Sequence, residues 1–404
     1  MRLTHPRALL RSERTPIAAR IVLDVLRRIE HGRLLLTLPD GRSLECGPDA
    51  RSAVLHVRDW RVFGAIAAKG DIGFGETYMD GAWTTPDLVA LLSLLAANRD
   101  AIDRAVRGGV VTGAMQRLKH VLNANTRRGS RRNIAAHYDI GNDFYALWLD
   151  PSMTYSSALF EGDQARSLEE AQAAKVRRAL DRIAPRPGDH ILEIGCGWGA
   201  LAEIAARDYG CRVTGITLSR EQLLHSQLRI ARNGLADRVN FELRDYRDVA
   251  GRYNHIVSIE MVEAVGERYW PAYFATIARA LVPGGKACVQ AITIDDRRFE
   301  RYRSGTDFIQ QYIFPGGMLP SPSRFRAEAA RQGLTVTGDH AFGRDYAETL
   351  RRWRETFLRR AADARALGYD ERLIRMWDFY LAYCEAGFDT LCTDVHQFEL
   401  EHTA

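Results

Sequence analysis

The run ILEIGCGWGALAEIAA, residues 191–206, carries the strongest chemical signal in the chain. Glu193, Gly195, Gly197 and Gly199 stand between an apolar strand-like run and an alanine-rich helical one. Glycines at such a junction let the backbone approach a ligand at a helix N-terminus, beyond the carboxyl end of a strand. Taken alone, a GxGxG run leaves a nucleotide loop and a plain tight turn open. A dinucleotide site prefers GxGxxG and an acidic residue closing the second strand. Here the second strand closes as GITLSREQ, with Thr217, Ser219 and Gln222 at the next helix start. Asp245 and Tyr246 follow the third strand-like run, a carboxylate and a ring able to bond and cover an adenine. No GKS or GKT tail follows the glycines, which argues against a phosphate-cradling loop. S-adenosylmethionine has no phosphate, and this loop suits it.

The elements that would position these residues alternate. HILEIG (190–195), RVTGIT (212–217), VNFELR (239–244), HIVSIE (255–260) and KACVQAI (286–292) are β-rich runs separated by helical stretches. Crossovers of that length predict an α/β fold, a parallel sheet flanked by helices. LTVTGDHAF (334–342) and VHQFELE (395–401) complete the sheet, the last as an antiparallel edge, and Ala347 to Ala386 reads as helical. Ahead of this, residues 20–105 read as a small α+β module. It has a hairpin around Pro39-Asp40-Gly41-Arg42, a glycine-rich loop in GDIGFGETYMDGAW, and a helix opening at Thr85-Pro86-Asp87. Arg107 to Arg132 is a basic amphipathic connector, suited to an anionic bilayer or simply to joining two parts.

The 404 residues, 46% hydrophobic and 26% charged, have the composition of a soluble globular protein. No apolar run approaches the ~20 residues of a membrane helix, and no secretory leader is evident, so a cytoplasmic protein is expected. Six scattered cysteines without a CxxC pair predict neither a disulfide framework nor a metal site. Up to Asn133, 22 Lys and Arg face 13 Asp and Glu; beyond it 34 face 38. The front is therefore basic, which suits an anionic partner or reflects a solvated surface.

With these residues in hand, the chain resembles the cyclopropane-fatty-acyl-phospholipid synthase family. HYDIGNDFYALWLDPSMTYSSALFEG (137–162) looks like that family's cap over the cofactor. LEIGCGWG (192–199) and GITLSREQ (215–222) look like its cofactor loops. SIEMVEAVGERYW (258–270), DFIQQYIFPGGMLPSP (307–322) and RDYAETL (344–350) look like its acceptor-side motifs. The resemblance implies a Rossmann-like, seven-stranded S-adenosylmethionine methyltransferase sheet with a helical acceptor cap, plus a small α+β N-terminal domain. The expected division is 1–106 for lipid docking, 107–133 for the connector and 134–404 for the methyltransferase. It further implies cofactor contacts from Tyr155, Ser156, Gly195, Gly197, Thr217, Leu218 and Gln222. The expected partner is an unsaturated phospholipid at the inner face of the cytoplasmic membrane, with no nucleic acid, and a homodimer is compatible with the resemblance.

The family's acceptor pocket holds a bicarbonate ion gripped by a Cys, a Glu, a His, an Ile backbone and a Tyr. The matching positions here are Ser157, Glu263, Gln290, Ile292 and Tyr346, so the Cys and the His are replaced. Glu260 stands where many members have glycine. These departures leave bicarbonate binding, and ring closure with it, open.

Methyl transfer to an isolated alkene leaves a carbocation that aromatic faces stabilise without capturing it. Tyr155, Tyr346, Phe314 and Trp353 are candidates, and Trp353, Phe357, Trp377, Phe379 and Tyr380 would line an acyl tunnel or simply fill the core. Loss of a proton from the new methyl closes a cyclopropane; loss from a neighbouring chain carbon leaves a methyl-branched or methylene chain. Glu263, with Glu260 as a second carboxylate, is the expected organiser of proton removal. Competing expectations are a small-molecule N-methyltransferase, a non-catalytic lipid-binding protein and, more weakly, a nucleic-acid methyltransferase.

Overall fold

The computed structural model describes residues 15–49, 52–106, 129 and 140–402. Near the front, β1 (Arg33–Thr37), β2 (Ser43–Cys46), β3 (Ser52–Val57) and β4 (Trp83–Thr84) form a sheet in the order β2-β1-β3-β4. β1 and β2 are the expected hairpin, antiparallel with Thr37 opposite Ser43. The turn closes because Asp40 accepts from the Arg42 N–H and Gly41 takes φ +82°. Asp87 caps the helix Leu88–Ala97 by accepting from the Ala90 N–H at 3.0 Å, as its Thr-Pro-Asp start implies.

The stretch GDIGFGETYMDGAW is not the loop its glycines suggest: Asp71–Met79 is helical. A Cβ on Gly73 would stand 2.1 Å from the Ala65 carbonyl oxygen, and one on Gly75 would stand 2.5 Å from the Phe308 ring. These glycines thin a helix for close packing, a role that composition alone does not separate from backbone freedom.

The large sheet contains β5 (His190–Ile194), β6 (Arg212–Thr217), β7 (Val239–Leu243), β8 (Tyr253–Ile259), β9 (Leu281–Ile294), β10 (Leu334–Ala341) and β11 (Thr393–His402). Their order is β10-β11-β9-β8-β5-β6-β7. The five from β5 to β9 pair in parallel, and β11 runs antiparallel to both β9 and β10. The chain moves outward from β5 to β6 and β7, then returns to β8 on β5's other side. This reversal opens a crevice beyond the carboxyl ends of β5 and β8.

One strand assignment is corrected. β11 is interior and β10 takes the edge. Four consecutive residues of β11, Val395 to Phe398, are buried, whereas β10 buries only its first residue. A strand covered on both faces belongs inside a sheet.

The C-terminal stretch is helical as expected, in Gly343–Arg359, Ala361–Ala366 and Glu371–Asp389. The front segment and these helices share one hydrophobic cluster. Phe74 stacks on Trp83 at 4.1 Å, and Trp83 meets Phe379 edge-on. The Tyr78 hydroxyl donates to Asp378 at 2.5 Å, and Arg375 donates to the Tyr78 carbonyl at 2.6 Å. The expected connector, 107–133, lies outside the described residues apart from Gly129.

Gly73→Ala should destabilise the protein by about 1–3 kcal/mol even after the gain in helix propensity, because the nearest obstacle is backbone. Denaturant unfolding measures it; unchanged stability would show that the helix pair can slide apart freely.

Candidate active site

The loop after β5 turns through three left-handed glycines, with φ +85° at Gly195, +51° at Gly197 and +86° at Gly199. Gly195 and Cys196 both donate to the Ile216 carbonyl at 3.0 Å, which ties the loop to β6. A Cβ on Gly199 would meet Ser226 at 2.9 Å, so this glycine lets the loop settle on the neighbouring helix. A Cβ on Gly197 would meet nothing within 4 Å, and this residue lines a cavity. The cavity occupies the crevice at the sheet's carboxyl edge. Thr217, Leu218 and Gln222 come from the end of β6 and the helix after it, and Tyr246 from beyond β7. Tyr155 and Ser156 cover it from the cap, and Phe314 closes another side.

Most of the expected cofactor residues therefore meet. The Thr217 hydroxyl donates to Gln222 at 2.8 Å, fixing both side chains. Ser219 stands behind the lining, capping Arg220–Arg232 by accepting from the Gln222 N–H. Asp245 is also set back; its carboxylate accepts from the Arg247 guanidinium at 2.8 and 2.6 Å. Tyr246 presents a ring, and burial pushes its hydroxyl pKa up to about 12.

Glu193 is buried at the cavity with one carboxylate oxygen lacking any protein partner. Burial raises its pKa well above the usual range, opposed by the charge of Lys175. An orphaned buried carboxylate oxygen beside a glycine cradle suits a ligand with cationic groups, and S-adenosylmethionine, with its ammonium and sulfonium, fits.

Lys175 lines the same cavity, and its ammonium donates to the Ser156 hydroxyl at 2.5 Å. Burial lowers its pKa to about 8, while Glu260, Asp150 and Glu193 work in the opposite direction. Sequence reasoning missed this residue, although a signal exists. The buried face of helix Leu168–Ile183 reads Ala171, Gln172, Lys175, Val176, Ala179, Leu180 and Ile183, with a lysine where the pattern requires an apolar side chain.

The acceptor-side residues cluster around Glu260, which lines the cavity just past the end of β8. Its Oε1 accepts from the Ser157 N–H at 2.8 Å and from the Gln290 amide at 2.7 Å. Its Oε2 accepts from the Tyr346 hydroxyl at 2.7 Å. Glu263 lies alongside; one oxygen accepts from the Ile292 N–H and the other has no protein partner. Burial and then the Glu260 charge push its pKa up to about 8. Burial also raises Glu260, but Lys175, Tyr346, Ser157 and Gln290 all counteract it. Glu263 is thus the more readily protonated of the two, and Glu260, with three donors on its oxygens, is the better hydrogen-bonded carboxylate.

Tyr155 packs near Tyr145, Trp148, Trp353 and Phe314, with ring centroids 5.4–6.5 Å apart, and its hydroxyl lies 2.8 Å from that of Tyr380. Trp353, Phe357, Trp377 and Phe379 are fully buried in the shared core and are not among the residues lining this cavity.

A sequence model described as mycolic acid cyclopropane synthetase matches residues 125–398. The chain belongs to that family. It is 39% identical to tuberculostearic acid methyltransferase UfaA1 of Mycobacterium tuberculosis, over 97% of this chain and 94% of the relative. It is 34% identical to the cyclopropane-fatty-acyl-phospholipid synthase of Escherichia coli K12, over 83% of this chain and 84% of the other. The solved structure of mycolic acid cyclopropane synthase CmaA1 with SAH and CTAB superposes with a TM-score of 0.63 at 33% identity, covering 67% of this chain and 97% of that one. Family membership and the fitted cavity make the chain an S-adenosylmethionine-dependent methyltransferase.

A family member's bicarbonate does not fit here as a separate ion. The Ser157 N–H, the Gln290 amide and the Tyr346 hydroxyl already donate to Glu260.

Gly197→Ala should weaken S-adenosylmethionine binding by about tenfold, or ~1.4 kcal/mol, because its methyl enters the cavity while the fold loses only ~1–2 kcal/mol. Calorimetric titration decides, and undiminished affinity would move the cofactor off this loop. Glu263 holds its proton more tightly folded than unfolded, so its stabilising contribution is full below its ordinary pKa of 4.5 and is lost as pH rises through about 8. Glu263→Gln, which keeps the neutral shape, should flatten the decline of Tm across that window; an unaltered slope would place the titration elsewhere.

Proposed function

We propose that this enzyme methylates the double bond of an unsaturated phospholipid acyl chain at a membrane surface and releases a methyl-branched or methylene chain. The observation that carries this reading is an anchored carboxylate, Glu260, lining a cavity walled by Tyr155 and Phe314. An alkene methyltransferase must align a weak nucleophile, exclude water and shelter a cation, and then remove a proton.

When bound, S-adenosylmethionine supplies the electrophilic methyl group. Tyr155, Ser156, Gly195, Gly197, Thr217, Leu218, Gln222 and Tyr246 would hold it, since these residues line the cavity. Trp198, Met153 and Met261 surround the same space with water-excluding surface. The Tyr155 and Phe314 rings, 6.5 Å apart, can face a positive charge on the acyl chain without bonding to it. A carboxylate then takes a proton from the chain. Loss from the methyl-bearing carbon leaves a branched alkene; a hydride shift followed by loss of a methyl proton leaves a methylene group. The relationship to UfaA1, a methyltransferase by name, supports methylation over ring closure.

The phospholipid reading is supported by the relationship to the Escherichia coli synthase and by the basic front of the chain. Among the described residues no helix is long and apolar enough to cross a membrane, so access to lipid would be peripheral. The segment 1–106 would serve the docking and the remainder the chemistry.

Expression in a host rich in unsaturated phospholipid should add one CH2 to its acyl chains, seen by mass spectrometry. The added group should sit on a chain that hydrogenation converts to a saturated methyl branch. A ring that survives mild hydrogenation would overturn the branched product. The purified protein should also co-sediment with anionic vesicles and release with salt; methylation of a soluble amine without vesicle binding would favour an N-methyltransferase.

A further inference from the structure

We propose that Glu260 is a resident anion that occupies the position of the family's bicarbonate and takes the proton itself, with Lys175 positioned to hold its charge, so that turnover needs no diffusible carboxylate. The inference rests on the alkene-methylation reading only for the identity of the proton's donor. The replacement of the ion stands on geometry.

A carboxylate has about four acceptor positions on its two oxygens. Ser157, Gln290 and Tyr346 fill three of them, each from a different segment. The fourth remains on Oε2, on a side chain that lines the cavity. Gln290 is itself pinned, since its oxygen accepts from Gln397 at 3.0 Å, so its amide hydrogens must point at Glu260. A neutral amide in place of a histidine donates here without any proton of its own to exchange. Ser157 contributes its backbone N–H, while its hydroxyl donates to the Ala158 carbonyl at 3.0 Å. The His-to-Gln departure thus gives a fixed carboxylate a fixed side-chain donor, and position 157 adds a backbone one.

Backbone strain supports the same reading. Glu260 takes φ +48°, one of five non-glycine residues with positive φ among the described residues. That conformation costs a residue with a Cβ about 1–2 kcal/mol, and such strain persists where surroundings over-determine it. A glycine would sit here without strain and without a carboxylate. The side chain is what the site retains in exchange.

The groups facing Glu260 account for its charge. Lys175 comes from helix Leu168–Ile183, Tyr346 from Gly343–Arg359 and Cys384 from Glu371–Asp389; Glu263 follows in the short helix Val262–Val265. Lys175 is the one cation among them, and Asp150 and Glu193 share its field. In the step itself a C–H bond of the cationic chain breaks and its electron pair closes the new C=C bond. The proton forms an O–H bond at Glu260 and leaves to water after product departs. No oxidant or reductant is needed.

The test uses the full-length enzyme with S-adenosylmethionine and unsaturated phospholipid vesicles. In buffer stripped of carbon dioxide the wild type should keep its full rate. Glu260→Gly should lose turnover by about 100-fold or more and recover with added bicarbonate or formate, which refills the three donors. Glu260→Gln, which still fills the pocket, should be equally slow and should not recover. Lys175→Met should move the acidic limb of the kcat profile to higher pH, which a mere packing defect would not do. A wild type that stalls without bicarbonate, or a Glu260→Gly variant active without added anion, would overturn the proposal. Titration of formate, read by calorimetry, is independent of turnover: the glycine variant should bind it and the wild type should not. If no lipid is methylated yet that binding contrast holds, the substrate reading fails and the resident anion survives.

Discussion

The constraint on which the active site depends is the burial of one carboxylate at the carboxyl edge of the sheet. Glu260 follows β8, and its partners are Ser157 in the cap, Gln290 in β9 and Tyr346 in a C-terminal helix. A carboxylate removed from water is tolerated when its lone pairs are satisfied, so these three segments are fastened to the same point. The cap that covers the cofactor loop is held shut by the group that lines the cavity. Further bonds reinforce the closure: the Asp345 carboxylate accepts from the Phe160 and Glu161 N–H groups, and Thr349 accepts from the Ala158 N–H. Chemistry and cap closure share residues, and selection on one acts on the other.

Charge balance follows from the same burial. The cavity region holds Glu193, Glu260, Glu263 and Asp150 against Lys175, before any ligand enters. Burial raises the pKa of both Glu193 and Glu263, and one oxygen of each has no protein partner. A positively charged ligand therefore meets carboxyl oxygens with acceptor capacity still open in a low-dielectric setting, where electrostatic attraction is strong. The neutral form of Glu263 keeps that site from repelling itself, which is why two adjacent carboxyl groups are tolerable. Glu263 is pushed up by burial and by Glu260, while Lys175, Tyr346, Ser157 and Gln290 counteract the burial of Glu260, a division that environments impose on paired acids.

The fold was largely legible, because its signals are periodic and local. The five parallel strands stand out as apolar runs, and the glycine loop declares itself by residue type. What escaped depended on tertiary context. GDIGFGETYMDGAW reads as a loop from composition, yet Gly73 and Gly75 serve helix contacts with Ala65 and Phe308 that are remote from local pattern. β10 and β11 were both recognisable, but their order depends on which one is covered on both faces. Around the site, Glu260, Ser157, Gln290 and Tyr346 could be singled out, whereas their convergence on one carboxylate required coordinates. Lys175 left a trace, a charge on an apolar helix face, that matters only once carboxylates are known to lie opposite.

The front segment is part of the packing that backs this cavity. Its helix Asp71–Met79 and strand β4 do not pack as a separate body against the C-terminal helices; they supply part of the same core. Trp83, fully buried, lies against Phe74 and Phe379, and Tyr78 satisfies Asp378 together with Arg354. Helix Glu371–Asp389 joins this contact to the site, since Tyr380 on the same helix meets Tyr155. The front segment is therefore joined to the aromatic wall through a continuous packed helix. Close-packed cores transmit small displacements because they lack voids to absorb them. Helix Glu371–Asp389 thus packs against the front segment through Phe379 and against the aromatic wall through Tyr380, so the two ends of the chain hold one side of the cavity in place together.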